Sequence, residues 1–223
     1  METIRIVANV VQQSLIEQLR PVISDERIGT YLTAAGFDPD RALRLYIWNA
    51  LVGEAFHLPV QSVEVALRNR VNRHLVELFG QQWWQNDTFL RLAGRKRATD
   101  IETALRRIRN RGAVLDTGQI VATLSFGFWS SLLQKRYNPA LWGGRLHAAF
   151  PDLPPNQTRA TLSQRVKRVA DFRNRVWHHE PILKMDLLAE YSAIMELLNW
   201  LCPIKAGWVR PHCRVATLMR QKP

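Results

Sequence analysis

Apolar residues recur at spacings of three and four along most of this chain, and that is the period of an α-helix. The row Val63, Leu67, Val71, Leu75 and Leu78 shows it clearly. No hairpin dipeptide separates alternating strand-like runs, and no internal repeat is visible. An all-α fold is therefore expected, a bundle of about seven or eight helices. Leu15 to Leu19 predicts a first helix ending at Pro21, and Ser24 ahead of Asp25 and Glu26 caps a second through Ala34, stopped by Gly36. Asp38 and Pro39 open a third, about 39–57, with Leu43, Ile47 and Leu51 as its core row. A fourth runs from Pro59 to Phe79 and closes at Gly80. Thr99-Asp100-Ile101-Glu102 has the spacing of a capping box and predicts the start of a fifth. Thr117 or Gly118 caps an apolar helix through Leu133, and 138–155 reads as a loop rich in Pro, Gly and aromatics. Asn156 caps the next helix, which Pro181 ends. Asp186 to Leu201 is the last, with Leu187, Tyr191, Ile194, Leu198 and Leu201 inward, and Pro203 stops it.

With 223 residues and 47% hydrophobic composition the chain can bury one substantial core. A single domain over 1–223 is expected, with a basic, frayed tail from about 203. Cys202 and Cys213 form no CxxC pair, so neither a disulfide framework nor a zinc knuckle is indicated. The first residues, with Glu2 and Arg5, lack the pattern of a secretory signal. The charge-free stretch 117–134 reads as a buried helix rather than a span. A cytoplasmic protein without a membrane partner follows.

Charge narrows the partner. There are 31 Lys and Arg against 19 Asp and Glu, a formal net charge of +12. A phosphate backbone is the commonest reason for such an excess, through counterion release. Eight basic residues fall between Arg91 and Arg111, and Arg95, Lys96, Arg97, Arg106 and Arg107 are expected to bind RNA, with Arg175 further on. Trp83 and Trp84 either join the core or offer faces on which unpaired bases stack.

The chemistry is expected at Arg173-Asn174-Arg175-Val176-Trp177-His178-His179. Asn174 and His178 are four apart on one helix face, and Arg173 lies about 140° from His178. Metal-free RNA cleavage needs a proton donor or acceptor near the 2′-hydroxyl and the leaving oxygen, and a cation for the charge growing on phosphorus. His and Arg suit those tasks, and the partial negative charge at a helix C-terminus suits a protonated His178 acting as general acid. The opposing reading is structural: Arg173 and His179 pair with Asp171 or Glu180, and His178 caps the helix. Glu64 and Arg68, four apart, are either a surface ion pair or, with Asn69, part of a phosphate-binding groove in which Glu64 orients Arg68. No carboxylate cluster for two-metal chemistry, no Gly-x-Ser-x-Gly elbow and no phosphate loop occurs, so neither metal nor cofactor is expected.

The stretch Asp171 to Pro181, with Arg-Asn-x-x-x-His-His, resembles the signature of the Abi-like (abortive infection) family within the HEPN ribonuclease superfamily. Three upstream blocks resemble it too: Arg27 to Asn49 with its R-x3-YL and A-x2-LY-x-WN pattern, Val63 to Asn69, and Leu124 to Trp129. The resemblance covers about residues 24–200. It implies a helical HEPN-like fold, metal-independent endoribonuclease activity in phage defence, and a homodimer whose two Arg-x4-His elements face each other. Arg173 would then be the phosphate-stabilising cation, Asn174 the polar residue following it, and His178 the catalytic histidine. His179, Glu64, Arg68 and Asn69 would be auxiliary. RNA is the expected partner, transfer RNA being one candidate, with an antitoxin or phage component as a further one. The competing reading is a non-catalytic helical module that binds RNA or a protein.

Overall fold

The computed structural model describes residues 15–223, and those residues contain helices and no strand. The segment with Glu2 and Arg5 lies outside them. Helix α1 covers residues 15–23, α2 Asp25–Ala34, α3 Pro39–Ala55, α4 His57–Phe79, α5 Asp87–Asn110 and α6 Thr117–Thr123. Then follow α7 Phe126–Ser131, α8 Leu146–Ala149, α9 Arg159–Trp177, α10 Leu187–Leu201, α11 Pro203–Val209 and α12 Val215–Arg220. An all-α fold is what the periodicity requires, but the helices outnumber the seven or eight expected.

The extra helices have local causes. The apolar run 117–133 is cut in two because Ser125 adopts extended backbone and its hydroxyl accepts from the Phe128 amide, starting α7. Asp116, not Thr117 or Gly118, caps α6 through the Gln119 amide. The stretch 138–155 is not a plain loop, since it holds a short helical turn at Asn138–Trp142 and α8. Thr158, not Asn156, caps α9 by accepting from the Thr161 amide. Nor does Thr99 start a helix. Its hydroxyl donates back to the Arg95 carbonyl, and α5 begins about twelve residues earlier at the Asn86 cap, which accepts from the Phe89 amide. The break lies instead at Gly94, whose φ of 73° only glycine adopts without strain. Helix α1 continues past Pro21, and Ser24 closes it with an N–H bond to the Arg20 carbonyl.

The chain divides into two compact units. The first comprises the described residues up to His57, together with Asn174–Tyr191 and Cys213–Pro223. Tyr31, Ala35, Ala42 and Leu45 form one buried cluster in it, flanked by Leu32, Tyr46 and Leu183. The buried face of α3 is Ala42, Leu45, Trp48, Asn49 and Val52. Leu43, Ile47 and Leu51 are not its core row: Ile47 is 57% and Leu51 41% exposed, because the helix is turned by about one residue from the expected face. The segment after Pro203 is helical, not frayed. Proline starts α11 rather than ending the fold, and α12 buries Val215 and Leu218 while the Trp48 indole N–H donates to the Leu218 carbonyl at 2.8 Å.

The second unit comprises Leu58–Arg173 and Ser192–His212. Val63, Leu67, Val71 and Leu75 of α4 are fully buried, as their spacing demands. Trp83 and Trp84 are core as well. Trp83 packs against Phe89, Phe128 and Trp129 and donates its indole N–H to Asn72, so neither ring presents a face to a base. Among the described residues no helix is long and apolar enough to cross a membrane.

Candidate functional site

Helix α9 is a 19-residue helix whose buried stripe is Leu162, Val166, Val169 and Phe172. It ends on an unusual turn. The His178 amide donates to the Asn174 carbonyl, His179 to Val176 and Glu180 to Arg175, all within 2.9–3.0 Å. The last two bonds close a helix on a residue with left-handed backbone, a place that glycine ordinarily fills. Here it is His179, with φ of 57°. Two anchors in the first unit hold this turn. Arg27 of α2 donates from Nη2 to the His179 carbonyl oxygen, and Asn49 of α3 accepts from the Ile182 amide at 2.8 Å. Gly53 permits close approach beneath it, since a Cβ there would meet Val176 Cγ1 at 3.3 Å. The turn is thus overdetermined by its surroundings, the condition under which a strained residue persists.

The imidazole of His178 is exposed, and among the described residues it has no hydrogen-bond or ion-pair partner. Arg175 pairs with Glu180 at 3.4 Å, and Asp171 with Lys167 at 2.5 Å. Asn174 is exposed. In the second unit Arg173 Nε lies 3.0 Å from Glu64 Oε1, both residues being part-buried. Glu64 therefore serves Arg173, not Arg68 as its i,i+4 spacing suggests. The Arg68 Nε is shut from solvent without a hydrogen-bond partner among the described residues, and Asn69 is exposed. Near Arg68, burial pushes the Lys205 ammonium below the usual lysine range, and the Arg68 charge pushes it the same way against the opposing effect of Cys202.

Of the residues expected to bind RNA on α5, Arg95, Lys96, Arg106 and Arg107 are exposed and without an ion-pair partner among the described residues. Arg97 is not part of that surface. It is 7% exposed, with Nε 3.1 Å from Asp100 and Nη1 2.8 Å from the Ser131 hydroxyl, and it fastens α5 to α7. A guanidinium carrying five donors is spent there on internal acceptors.

Beside the α9 turn the first unit encloses a cavity of about 470 Å³, a size that takes a small organic ligand. Arg27, Tyr31, Tyr46, Asn49, Glu54 and His57 line it from α2, α3 and the start of α4, and Trp177, His179 and Glu180 from the turn itself. The His57 and Trp177 rings stack with centroids 5.4 Å apart, and Tyr31 and Tyr46 meet edge to face at 5.1 Å. The Arg27 guanidinium lies over Tyr46, 5.8 Å from its centroid. Sequence reasoning places His179 here as auxiliary and does not assign Arg27, Tyr31, Tyr46, Glu54 or His57 to a site. The signal is present all the same: Arg27, Tyr31, Tyr46 and Asn49 are positions of the Arg27 to Asn49 block that accompanies Arg-Asn-x-x-x-His-His. No three His, Cys, Asp or Glu side chains among the described residues gather closely enough to hold a metal ion. Compared with known proteins, the chain matches no family model, no curated protein and no solved structure.

Proposed function

We propose that this chain is an Abi-like, HEPN-type endoribonuclease that cuts RNA without a metal ion, acting in phage defence. The observation that carries the reading is the α9 turn: an exposed imidazole at His178 with no side-chain partner among the described residues, next to a strained His179, in a turn that Arg27 and Asn49 hold through His179 and Ile182. In the reaction the 2′-hydroxyl loses its proton to a base and attacks the adjacent phosphorus. The bond to the 5′-oxygen breaks, that oxygen takes a proton from an acid, and a 2′,3′-cyclic phosphate remains. The His178 and His179 pair supplies the proton-transfer groups, with His178 as the acid. Arg173, five residues earlier on α9, is the cation for the phosphorane charge. The exposed cations of α5 and the net charge of +12 support an RNA substrate held by its backbone.

One observation favours the competing reading of a non-catalytic RNA-binding module, namely that Arg173 is already neutralised by Glu64. A single experiment separates them. Wild type, Arg173→Ala and His178→Ala are incubated with a transfer RNA pool in EDTA, and the cleaved ends are examined for cyclic phosphate. Cutting by wild type, reduced about a hundredfold or more in both variants, is expected. Intact RNA in every lane, with binding retained, would establish the module instead. A homodimer and an antitoxin or phage partner belong to the same proposal, and light scattering reads the first directly.

A further inference from the structure

The cavity beside the α9 turn holds groups that strand cleavage does not use. Tyr31 is 2% exposed, and its hydroxyl, closed off from solvent, has no hydrogen-bond partner among the described residues. Burial pushes this phenol above the usual tyrosine range, so it keeps its proton and can both donate and accept. A buried hydroxyl left without a partner is destabilising. Asn49 uses its Oδ1 on Ile182, which leaves its two amide N–H donors for whatever occupies the cavity. Arg27 spends one N–H on the His179 carbonyl and retains others. Glu54, among the lining residues, has no ion-pair partner among the described residues and can accept. The remaining wall is made of rings: Tyr46, His57 and Trp177.

These features exclude two ligand classes. A purely apolar molecule would leave the Asn49 and Arg27 donors unsatisfied. A small anion would meet the Glu54 and Glu180 carboxylates along with Arg27 and would leave the aromatic wall without a purpose. What fits is a flat ring system with a polar edge that both donates and accepts, joined to an anionic group. An unpaired nucleobase of RNA has that chemistry, and single-stranded RNA is read by splaying such bases onto aromatic side chains. We propose that the cavity is a recognition pocket for one unpaired nucleobase, with the Asn49 amide and the Arg27 guanidinium reading its edge and the Tyr46, His57 and Trp177 rings packing against it. The pocket lies beside His178 and so selects the base at which the strand is presented. This rests on the reading that RNA is the substrate.

The test uses uncleavable 2′-O-methyl trinucleotides, the four homopolymers A, C, G and U, titrated by calorimetry in EDTA into the full chain and into Asn49→Asp, His57→Ala and Tyr31→Phe. At least one trinucleotide is expected to bind tighter than the others by tenfold or more. Asn49→Asp, which keeps an acceptor for the Ile182 amide and removes both amide donors, and His57→Ala should each erase that preference, while Tyr31→Phe, which deletes an oxygen with no exposed surface, retains it. Melting curves identify any variant that fails to fold. Equal binding of all four, or a preference unchanged in a folded Asn49→Asp, overturns the pocket. If the preference appears but the chain leaves transfer RNA intact, the cleavage reading fails and the pocket stands.

Discussion

At the scale of single residues, the strain at His179 and the orphan hydroxyl of Tyr31 can both be removed without disturbing their neighbours. A non-glycine side chain in left-handed backbone costs roughly 1 kcal/mol. His179→Gly should therefore raise the unfolding free energy by about that amount, and His179→Ala should not, a contrast that denaturant melts resolve. Tyr31→Phe removes a buried group that no partner among the described residues satisfies, and a gain of about 1 kcal/mol is expected. Its pH dependence has a definite sign. Burial raises the phenol in the folded state, so the stability that Tyr31 contributes is complete below the ordinary tyrosine value of about 10 and is lost as pH rises through the folded value. Wild type should accordingly lose stability in alkali that Tyr31→Phe keeps, as melting midpoints taken between neutral pH and strong alkali will show. The two-histidine turn is legible in the sequence as a cluster beside Pro181, but its left-handed residue is not. Nothing in the chain marks His179 as the place where glycine would ordinarily stand, because the geometry comes from bonds that Arg27 and Asn49 supply from distant helices.

At the scale of elements, spacing identifies most helices, and their phase comes less reliably. Along α4 the spacing gives the buried row directly, since Val63, Leu67, Val71 and Leu75 leave one apolar face to choose. Along α3 two apolar rows compete. Tertiary packing chooses the one with Trp48 and Val52, and leaves Ile47 and Leu51 outside. Thr99 illustrates a different limit: the capping-box pattern is present, but a threonine inside a helix can bond to the carbonyl four residues back, and Asn86 already supplies a better start. The charges of α5 are legible as a group, and burial then removes Arg97 from the group. Arg95 and Arg106, and likewise Lys96 and Arg107, are about eleven residues apart, so each pair is aligned to within about 20° and separated by about 16 Å along the axis. If that strip follows the backbone of single-stranded RNA, replacing the four by Gln should flatten the plot of log affinity against log salt by roughly 0.7 for each phosphate no longer neutralised. Arg97→Gln should instead lower stability and leave the salt slope as it was. Affinities measured across a salt series decide the matter.

At the scale of the molecule, the fold class follows from the period of the apolar residues, whereas the division into two units does not, because neither unit is a continuous stretch of chain. Composition cannot foretell that residues 213–223 belong with residues near Trp48, a partnership that includes the indole hydrogen bond to Leu218, the buried Val215 and Leu218, and Lys222 over the Trp48 ring. Val215 and Leu218 together bury side chains worth roughly 3 to 6 kcal/mol. Removing residues 213–223 should therefore loosen the first unit selectively: amide exchange along α2 and α3 should accelerate, while that of α4 is retained. The same arrangement has a consequence during synthesis. The cavity and the α9 turn belong to a unit that is complete only after residue 218 has been made and has left the ribosome. Arg27 and Asn49, which hold the turn, are made before its histidines, and Val215 and Leu218, which complete the same unit, are made after them, so in the order of synthesis the turn has its anchors before the core around it is closed.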